Sequence, residues 1–312
     1  MLVTFADDSA RQWYTHRSML TNAVSVDVED WYHPELVRHS VAAEDREQRL
    51  LVATEPLLEI LAFRQVSCTF FILGELAQRY PDLVRRLHSG GHEIACHGMT
   101  HIPLWQLTPE EFRQELRDFL EIIRMIDPSI RVKGFRAPTF SVDARTAWAL
   151  QVLAEEGFKY DSSIFPFANR VYGVPGAPLT PYRPDLEDLR RHSDSGPMWE
   201  FPLSVVELAS LRVPVSGGFY LRLWPYAFTA WALRRVNRDR PFVLYCHPWE
   251  CDPGLPRRKL GLVNGFITYT GVRGARAKLD RLLSDFPCSR IDSVLENYGR
   301  YQTLFRAQSC GL

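Results

Sequence analysis

The sequence has no excess charge of one sign and no long uninterrupted apolar segment. Its 312 residues contain 37 basic and 37 acidic side chains, so no net field draws the chain to nucleic acid or to a membrane, although a local patch is compatible with this balance. Charged residues interrupt every apolar stretch well before the roughly 20 residues that a membrane span requires. Residues 1–20 lack the apolar core of a signal peptide. We expect a cytoplasmic globular protein with no transmembrane segment and no nucleic-acid partner.

Cysteines in metal or redox spacing are also missing. The six cysteines, at positions 68, 96, 246, 251, 288 and 310, include no C-x-x-C pair, and three of them lie inside apolar runs. In a chain of this length, that pattern is typical of reduced, buried thiols rather than of a disulfide framework. We assign the cysteines no function.

Short apolar runs alternate with helical patterns over about 250 residues. The predicted strands are Ala23–Val28, Val66–Leu73, His92–Cys96, Val132–Phe135, Lys159–Asp161 and Phe242–Cys246. Thr54 is a candidate helix cap before Pro56, and Thr108 with Glu111 forms a capping box. Repeated alternation predicts an α/β fold with parallel strands, either a barrel or a doubly wound sheet. Segments 166–202 and 253–275 break the alternation and are predicted to be long loops that face the substrate.

Two histidines four residues apart give the sharpest local signal. His97 and His101 follow the predicted strand GHEIAC, and a helical turn after that strand would point both imidazoles the same way. Catalytic groups of parallel α/β folds collect at the carboxyl ends of strands. Gly98 occupies the position where a zincin would carry its general base, so the base must come from another segment. The spacing predicts a metal site that leaves coordination positions open.

Three acids end the first strand. Asp27, Glu29 and Asp30 would repel one another at a buried strand end unless a cation offset their charge. Asp27 is the natural candidate for the base, and Glu29 or Asp30 would complete a site of two histidines and one carboxylate. We favour Glu29 over Asp30 because it shares a strand face with Asp27.

Two further strands end in functional side chains. Arg136 follows a short apolar strand, where its guanidinium could hold a carboxylate in a bidentate pair and keep it ionised. His247 follows the strand FVLYC, and an imidazole that titrates near neutral pH suits a general acid. Both are therefore predicted to be catalytic.

The order of these motifs resembles the NodB-homology polysaccharide deacetylases of carbohydrate esterase family 4. The motifs that carry the resemblance are S-V-D-V-E-D-W at 25–31, T-F-F-I-L-G at 69–74, H-G-M-T-H at 97–101, F-R-A-P at 135–138 and L-Y-C-H-P at 244–248. The opening D-V-E-D-W-Y, Y-D-S-S at 160–163, P-V-S-G-G at 214–218 and segment 253–275 are similar to a branch associated with exopolysaccharide biosynthesis and exosortase systems.

The resemblance implies a distorted (β/α) barrel with C-terminal elaborations, and metal-assisted removal of acetate from an N-acetylated sugar of a polysaccharide or its lipid-linked precursor. Asp27 would be the base, with Arg136 orienting it, and His247 would protonate the leaving amine. His97, His101 and a carboxylate, Glu29 or Asp30, would hold a divalent metal, Zn²⁺ in the first place, with Co²⁺ or Ni²⁺ as alternatives. Backbone amides near Pro138 and Thr139 would stabilise the oxyanion.

The sequence departs from the family pattern at three places. Its first motif spreads the acids that the family usually places side by side, and Gly98 stands where Ser or Thr often follows the first histidine. The tryptophan-bearing aspartate motif is not evident, and Asp161 is only a nearby candidate. Trp31, Tyr32, Phe219, Tyr220 and Trp249 are candidate platforms for sugar rings.

Three other functions remain open at this level. They are hydrolysis of a non-carbohydrate amide such as a cyclic ureide or imide, an iron-dependent oxygenase with a facial triad, and a non-catalytic glycan-binding or assembly protein.

We divide the chain into an N-terminal extension at 1–20, a catalytic domain at 21–290 and a C-terminal tail at 291–312. The catalytic domain includes a family-specific segment at about 197–290.

Overall fold

The computed structural model describes residues 20–167, 169 and 171–299. The predicted extension lies outside these residues except for residue 20, as do Cys310 and the end of the predicted tail. No helix among the described residues has the length and apolar character needed to cross a bilayer.

A mostly parallel sheet forms the centre of the fold. Its strands are β1 (Asn22–Val28), β2 (Thr69–Ile72), β3 (Glu93–Cys96), β4 (Gly134–Phe135), β5 (Tyr160–Asp161), β6 (Trp199–Glu200), β9 (Val243–Cys246) and β10 (Cys288–Ser289). The strands follow one another from β1 to β6 in space, while β9 and β10 also pair with β1. A separate antiparallel hairpin, β7 (Val205–Leu208) and β8 (Leu211–Pro214), stands apart from this sheet. The result is an incomplete parallel barrel, and the predicted α/β barrel class is confirmed.

Helices pack around the sheet. They are α1 (Glu35–Arg38), α2 (Leu50–Arg64), α3 (Gly74–Arg79), α4 (Pro81–Ser89), α5 (Pro109–Ile126), α6 (Trp148–Glu155), α7 (Gly218–Leu223), α8 (Tyr226–Val236), α9 (Leu262–Tyr269), α10 (Val272–Asp285) and α11 (291–299). The Thr108 and Glu111 capping box opens α5 as the sequence predicts. Thr54 does not cap a helix, because α2 already starts at Leu50 and the Thr54 hydroxyl donates to the Leu50 carbonyl.

Strand periodicity separates the two sides of the sheet. Val24, Val26 and Val28 of β1 belong to the large apolar core under the helices. Ala23 belongs to the smaller core inside the barrel, and Asp27 on the same face of β1 is buried beside the pocket. The alternation V-S-V-D-V therefore sends apolar side chains outward to the helices and polar ones inward.

The segments that break the sequence alternation are more ordered than expected. Segment 166–202 has little regular structure, yet Tyr182 and Leu189 are buried within it. Segment 253–275 contains α9 and the start of α10, so its prediction as a loop is wrong for these residues. The part of the predicted tail at 291–299 is helical, and its Ile291 packs in the inner core.

Candidate active site

Glu29, His97 and His101 meet at the carboxyl end of the sheet. One ligand atom from each lies within 4.8 Å of the other two, and all three side chains are buried. The His101 Nε2 atom is 3.0 Å from Glu29 Oε2, and the two imidazole rings meet edge to face with centroids 5.3 Å apart. The structure thus brings together the two predicted histidines and the favoured carboxylate.

A backbone reversal, not a helical turn, brings the histidines together. Residues 97–103 are not helical; instead Gly98 has φ +80° and His101 has φ +60°. A left-handed φ favours glycine, which accounts for Gly98 at the position where the family often has Ser or Thr. His101 is not a glycine, so its backbone conformation is strained, as often occurs at functional sites. The predicted convergence is present, but its predicted helical cause is wrong.

Hydrogen bonding prepares His97 as a neutral ligand. Its Nδ1 atom lies 2.8 Å from the Arg136 carbonyl, which can only accept, so Nδ1 donates and the Nε2 lone pair is left for a metal. Burial lowers the pKa of His97 to about 4, which keeps the imidazole uncharged near neutral pH. Burial alone would raise the pKa of Glu29, but His101 and His247 hold it well below its usual range. One ionised carboxylate and a neutral imidazole are suitable ligands for a divalent cation.

One buried polar atom of the cluster, His101 Nδ1, has no hydrogen-bond partner among the described residues. An unpaired buried polar atom is costly and calls for an explanation such as a bound ion. The nitrogen and oxygen donors of Glu29, His97 and His101 fit Zn²⁺, Co²⁺ or Ni²⁺.

Asp27 lies beside the cluster in a buried ion pair. Its Oδ1 accepts from Arg136 Nη1 at 2.6 Å, and the same nitrogen donates to the Ser25 hydroxyl at 2.8 Å. The other two guanidinium nitrogens donate to the Ser162 carbonyl and hydroxyl, each at 2.9 Å. Arg136 is fully buried and lies 4.2 Å above the Phe71 ring. Every arm of the guanidinium is fixed, so Asp27 is held in one orientation with Oδ2 directed towards the pocket side, 4.0 Å from His247.

Asp30, the alternative ligand, lies outside the cluster. Its Oδ2 accepts from the amides of Arg49 and Leu50 at the start of α2, and its Oδ1 accepts from the Trp31 amide. A carboxylate that satisfies the first amides of a helix is a capping group. The geometry therefore separates the two acids that the sequence could not distinguish and favours Glu29 as the ligand.

This separation predicts different outcomes for two similar substitutions. Glu29→Gln should lower metal affinity by more than the roughly 10 to 100-fold expected when a residue that hydrogen-bonds a metal ligand is lost. Asp30→Asn should keep the metal and instead lower stability by about 0.5–2 kcal/mol through the weakened cap. Metal titration and thermal unfolding of both variants measure these effects. Metal loss in Asp30→Asn but not in Glu29→Gln would reverse the assignment.

His247 lies between two carboxylates, on the side of Asp27 opposite to Arg136. Its Nε2 lies 3.2 Å from Glu29 Oε1, and its Nδ1 lies 3.2 Å from Glu250 Oε2. Burial alone would lower the pKa of His247, but Glu29 and Glu250 raise it to about 9. The imidazole is thus poised to hold a proton.

Sequence reasoning missed Glu250 and Arg222. Glu250 pairs with the Arg222 guanidinium of α7, and both side chains are buried. Burial would raise the pKa of Glu250, but Arg222 and His247 lower it to about 2, so it is ionised behind His247. The position of Glu250 three residues after His247 is a signal that could have found it. Nothing in the local sequence marks Arg222, which lies 28 residues from Glu250.

Two further buried acids lie near Arg136 and do not line the pocket. Asp161 and Glu200 are fully buried neighbours on β5 and β6, and burial raises the pKa of both, strongly for Glu200. Asp161 accepts a hydrogen bond from Ser163, whose hydroxyl accepts from the Ala137 amide next to Arg136. Asp161 therefore supports the backbone around Arg136 and does not reach the pocket.

The candidate site opens into a pocket of about 800 Å³, which includes its solvent-filled mouth. Of the predicted aromatic platforms, Phe219 and Trp249 line it, and Trp249 also stacks on the His247 ring. Trp31 and Tyr32 pack instead in a small apolar cluster. Thr139 also lines the pocket and has φ +57°. The backbone amides near Pro138 and Thr139 are the predicted donors to the oxyanion. Because Pro138 has no N–H, the Thr139 amide is the remaining donor.

Two family models match successive parts of the chain. Residues 51–160 match the model described as polysaccharide deacetylase, and this range contains His97, His101 and Arg136 at the site described above. This match covers about a third of the chain and supports its resemblance to the NodB-homology polysaccharide deacetylases. Residues 162–296 match a domain of unknown function, DUF3473, which contributes Arg222, His247 and Glu250 to the same site. The two matched segments therefore build one site together.

Curated relatives match a shorter part of the chain. The chitooligosaccharide deacetylase of Sinorhizobium fredii is 37% identical over 87 residues, which are 28% of this chain and 40% of the relative. The peptidoglycan-N-acetylglucosamine deacetylase of Bacillus cereus is 33% identical over 87 residues, 28% of this chain and 29% of the relative. The chain spans about two fifths of the length of the first relatives it matches.

Solved structures resemble the deacetylase fold along nearly the whole chain. A Mycobacterium smegmatis protein with a provisional polysaccharide deacetylase name has a TM-score of 0.57 at 21% identity, covering 91% of this chain and 92% of its own. An allantoinase has a TM-score of 0.54 at 14% identity, covering 88% and 89%. These similarities support the fold.

Proposed function

We propose that the protein is a metal-dependent N-deacetylase that hydrolyses the acetamide of an N-acetylated sugar in an oligosaccharide, a polysaccharide or a lipid-linked precursor. One observation carries the proposal: the Glu29, His97 and His101 cluster lines one pocket with Asp27 and His247, and the buried Arg136 pairs with Asp27. The names of the relatives supply the substrate class. The proposal that the polymer is an exopolysaccharide rests only on the resemblance of P-V-S-G-G at 214–218 and segment 253–275 to the exopolysaccharide-associated branch.

Glu29, His97 and His101 would hold the metal, with Zn²⁺ the first choice from the donor set. A bound divalent cation lowers the pKa of water and polarises a carbonyl oxygen. In the proposed reaction, Asp27 takes the proton from the attacking water, and Arg136 holds the Asp27 carboxylate in place. His247 then delivers a proton to the amine nitrogen as the C–N bond breaks. The Thr139 amide is positioned to stabilise the oxyanion.

The same groups weigh against the other functions. In an iron oxygenase, Asp27, Arg136 and His247 would have no catalytic role. The fully buried Arg136 guanidinium nevertheless orients Asp27. In a glycan-binding protein without turnover, neither a set of metal ligands nor a charged imidazole between two carboxylates would be needed. Hydrolysis of a cyclic ureide or imide uses the same chemistry and is separated by the experiment below.

The test is product analysis on two substrates. We expect the metal-loaded protein to release acetate and a free amine in equal amounts from N-acetylated chito-oligosaccharides and to leave a cyclic ureide intact. His92→Ala is a matched control, because this histidine lies outside the candidate site and should not affect release. Ring opening of the ureide without acetate release would support the alternative amidohydrolase. Oligosaccharide binding with neither product would contradict an enzyme.

The carboxylates around His247 predict a shift in pH dependence. His247 must be protonated to act as the acid, so kcat/KM should fall as the pH rises through its pKa. Glu29 is assigned to the metal, which leaves Glu250 to stabilise the protonated imidazole. Glu250→Gln removes that charge and lowers the pKa of His247, so the basic limb should move to lower pH while metal content is unchanged. A basic limb at the wild-type position would exclude this role for Glu250.

A further inference from the structure

Helix α9 combines an exposed apolar face with a wall of the pocket. Leu262, Val263 and Phe266 are 96%, 69% and 56% exposed, whereas Ile267 and Thr268 of the same helix line the pocket. Contiguous exposed apolar side chains of this size mark an interaction site on a globular protein. The apolar face therefore lies at the rim of the candidate active site.

The helix is held rigidly in this exposed position. The Arg222 guanidinium donates to the carbonyls of Ile267, Thr268 and Thr270, and the Asn264 amide donates to the Leu36 carbonyl. Because the backbone of α9 is fixed at both its middle and its end, the three apolar side chains are presented to solvent by a structured element.

Basic residues precede the apolar face. Segment 253–275 contains Arg257, Arg258, Lys259 and Arg273 and no acidic residue, although the whole chain has no net charge. Arg257 and Lys259 are exposed. We call Leu262, Val263, Phe266, Arg257 and Lys259 the rim patch. Apolar side chains beside lysine and arginine are the pattern of a surface that inserts shallowly among anionic lipid headgroups.

We propose that the rim patch docks the protein peripherally on an anionic lipid bilayer, with the pocket mouth at the membrane surface. A second copy of the chain is a poorer occupant, because a symmetric contact would set the same basic residues against each other. An anionic bilayer instead offers opposite charge to Arg257 and Lys259 and an acyl boundary to Leu262. Where the proposed deacetylation holds, this docking makes a lipid-attached glycan the substrate.

Co-sedimentation of the full chain with vesicles tests the docking without any substrate. Wild-type protein should bind vesicles of phosphatidylglycerol and phosphatidylcholine, bind phosphatidylcholine alone weakly, and dissociate as salt increases. Leu262→Ser with Val263→Ser should lower the partition coefficient by about tenfold or more through lost apolar insertion. Arg257→Gln with Lys259→Gln should lower it by roughly fivefold per charge.

The chain offers a matched control for each double variant. Leu51 and Val52 are an adjacent, exposed Leu-Val pair on α2, and Arg235 and Arg238 are an exposed basic pair at the end of α8. Leu51→Ser with Val52→Ser, and Arg235→Gln with Arg238→Gln, should bind vesicles like wild type. All four variants should melt close to the wild-type temperature, because surface substitutions change stability little.

Three results would overturn the proposal. The first is that the wild-type protein does not bind anionic vesicles. The second is that the rim-patch variants and the control variants lose vesicle binding equally. The third is that the protein dimerises in sedimentation velocity, that Leu262→Ser with Val263→Ser abolishes the dimer, and that vesicles are not bound. Vesicle binding and acetate release are separate measurements, so failure of one leaves the other standing.

Discussion

Asp27→Asn should lower kcat by about 10²–10⁴-fold while the protein still binds its metal. Asparagine has almost the same shape as aspartate but cannot take a proton from water at neutral pH. Asp27 lies outside the Glu29, His97 and His101 cluster, so the ligand set stays complete. Acetate release and metal content are measured on the same preparation. Metal loss equal to that of the histidine variants would show that Asp27 is a ligand.

The ion pair with Arg136 calls for a stability control. Asp27→Asn leaves a fully buried guanidinium without its carboxylate, and breaking a buried pair costs about 3–5 kcal/mol. Kinetics should therefore be measured well below the melting temperature of the variant. Ser25→Ala is the matched variant, because it removes the other hydrogen bond at the same Arg136 nitrogen and keeps the base. Ser25→Ala should retain most activity; a loss as large as that of Asp27→Asn would point to Arg136 orientation instead.

His97→Ala and His101→Ala should each lose most bound metal and, with it, acetate release. Each substitution removes one of three ligands, so affinity should fall by more than the roughly 10 to 100-fold expected for an outer partner. The His97 ring also fixes the Arg136 carbonyl, so His97→Ala should destabilise the fold more than His101→Ala. Metal analysis after dialysis and thermal unfolding measure the two effects.

His92→Ala controls for the loss of a histidine as such. His92 lies at the start of β3, at the other end of the strand, where its Nδ1 accepts from the Cys68 amide. This variant should keep wild-type metal content. Full metal occupancy in both His97→Ala and His101→Ala would contradict the proposed ligand set.

The sequence is informative where function depends on strand ends. In β1, period-two alternation puts Asp27 on the face that lines the pocket, and Glu29 directly follows this strand. Parallel pairing brings the ends of the strands that precede His97, Arg136 and His247 to the same edge of the sheet. The strand pattern therefore predicts a parallel α/β fold and a common edge for these residues, whereas the choice of a barrel over a doubly wound sheet rests on the family resemblance.

The interactions that sequence could not predict depend on irregular backbone and on distant partners. The reversal at Gly98 leaves no helical pattern, and Asp30 differs from Glu29 only through the amides at the start of α2, which lie 19 and 20 residues away. Arg222 reaches Glu250 from a helix in the DUF3473 segment. The sequence predicts a loop where helix α9 lies, because glycines at 261, 265 and 271 flank and interrupt this eight-residue helix.

The most direct test of the account is acetate release during a metal titration of chelator-treated wild-type protein. An N-acetylated chito-oligosaccharide serves as the substrate, and bound Zn²⁺ is measured in the same samples. The account predicts no acetate without metal and a release rate that rises with bound Zn²⁺ until one ion per chain is present. Undiminished release from metal-free protein, or no release at full occupancy, would contradict it.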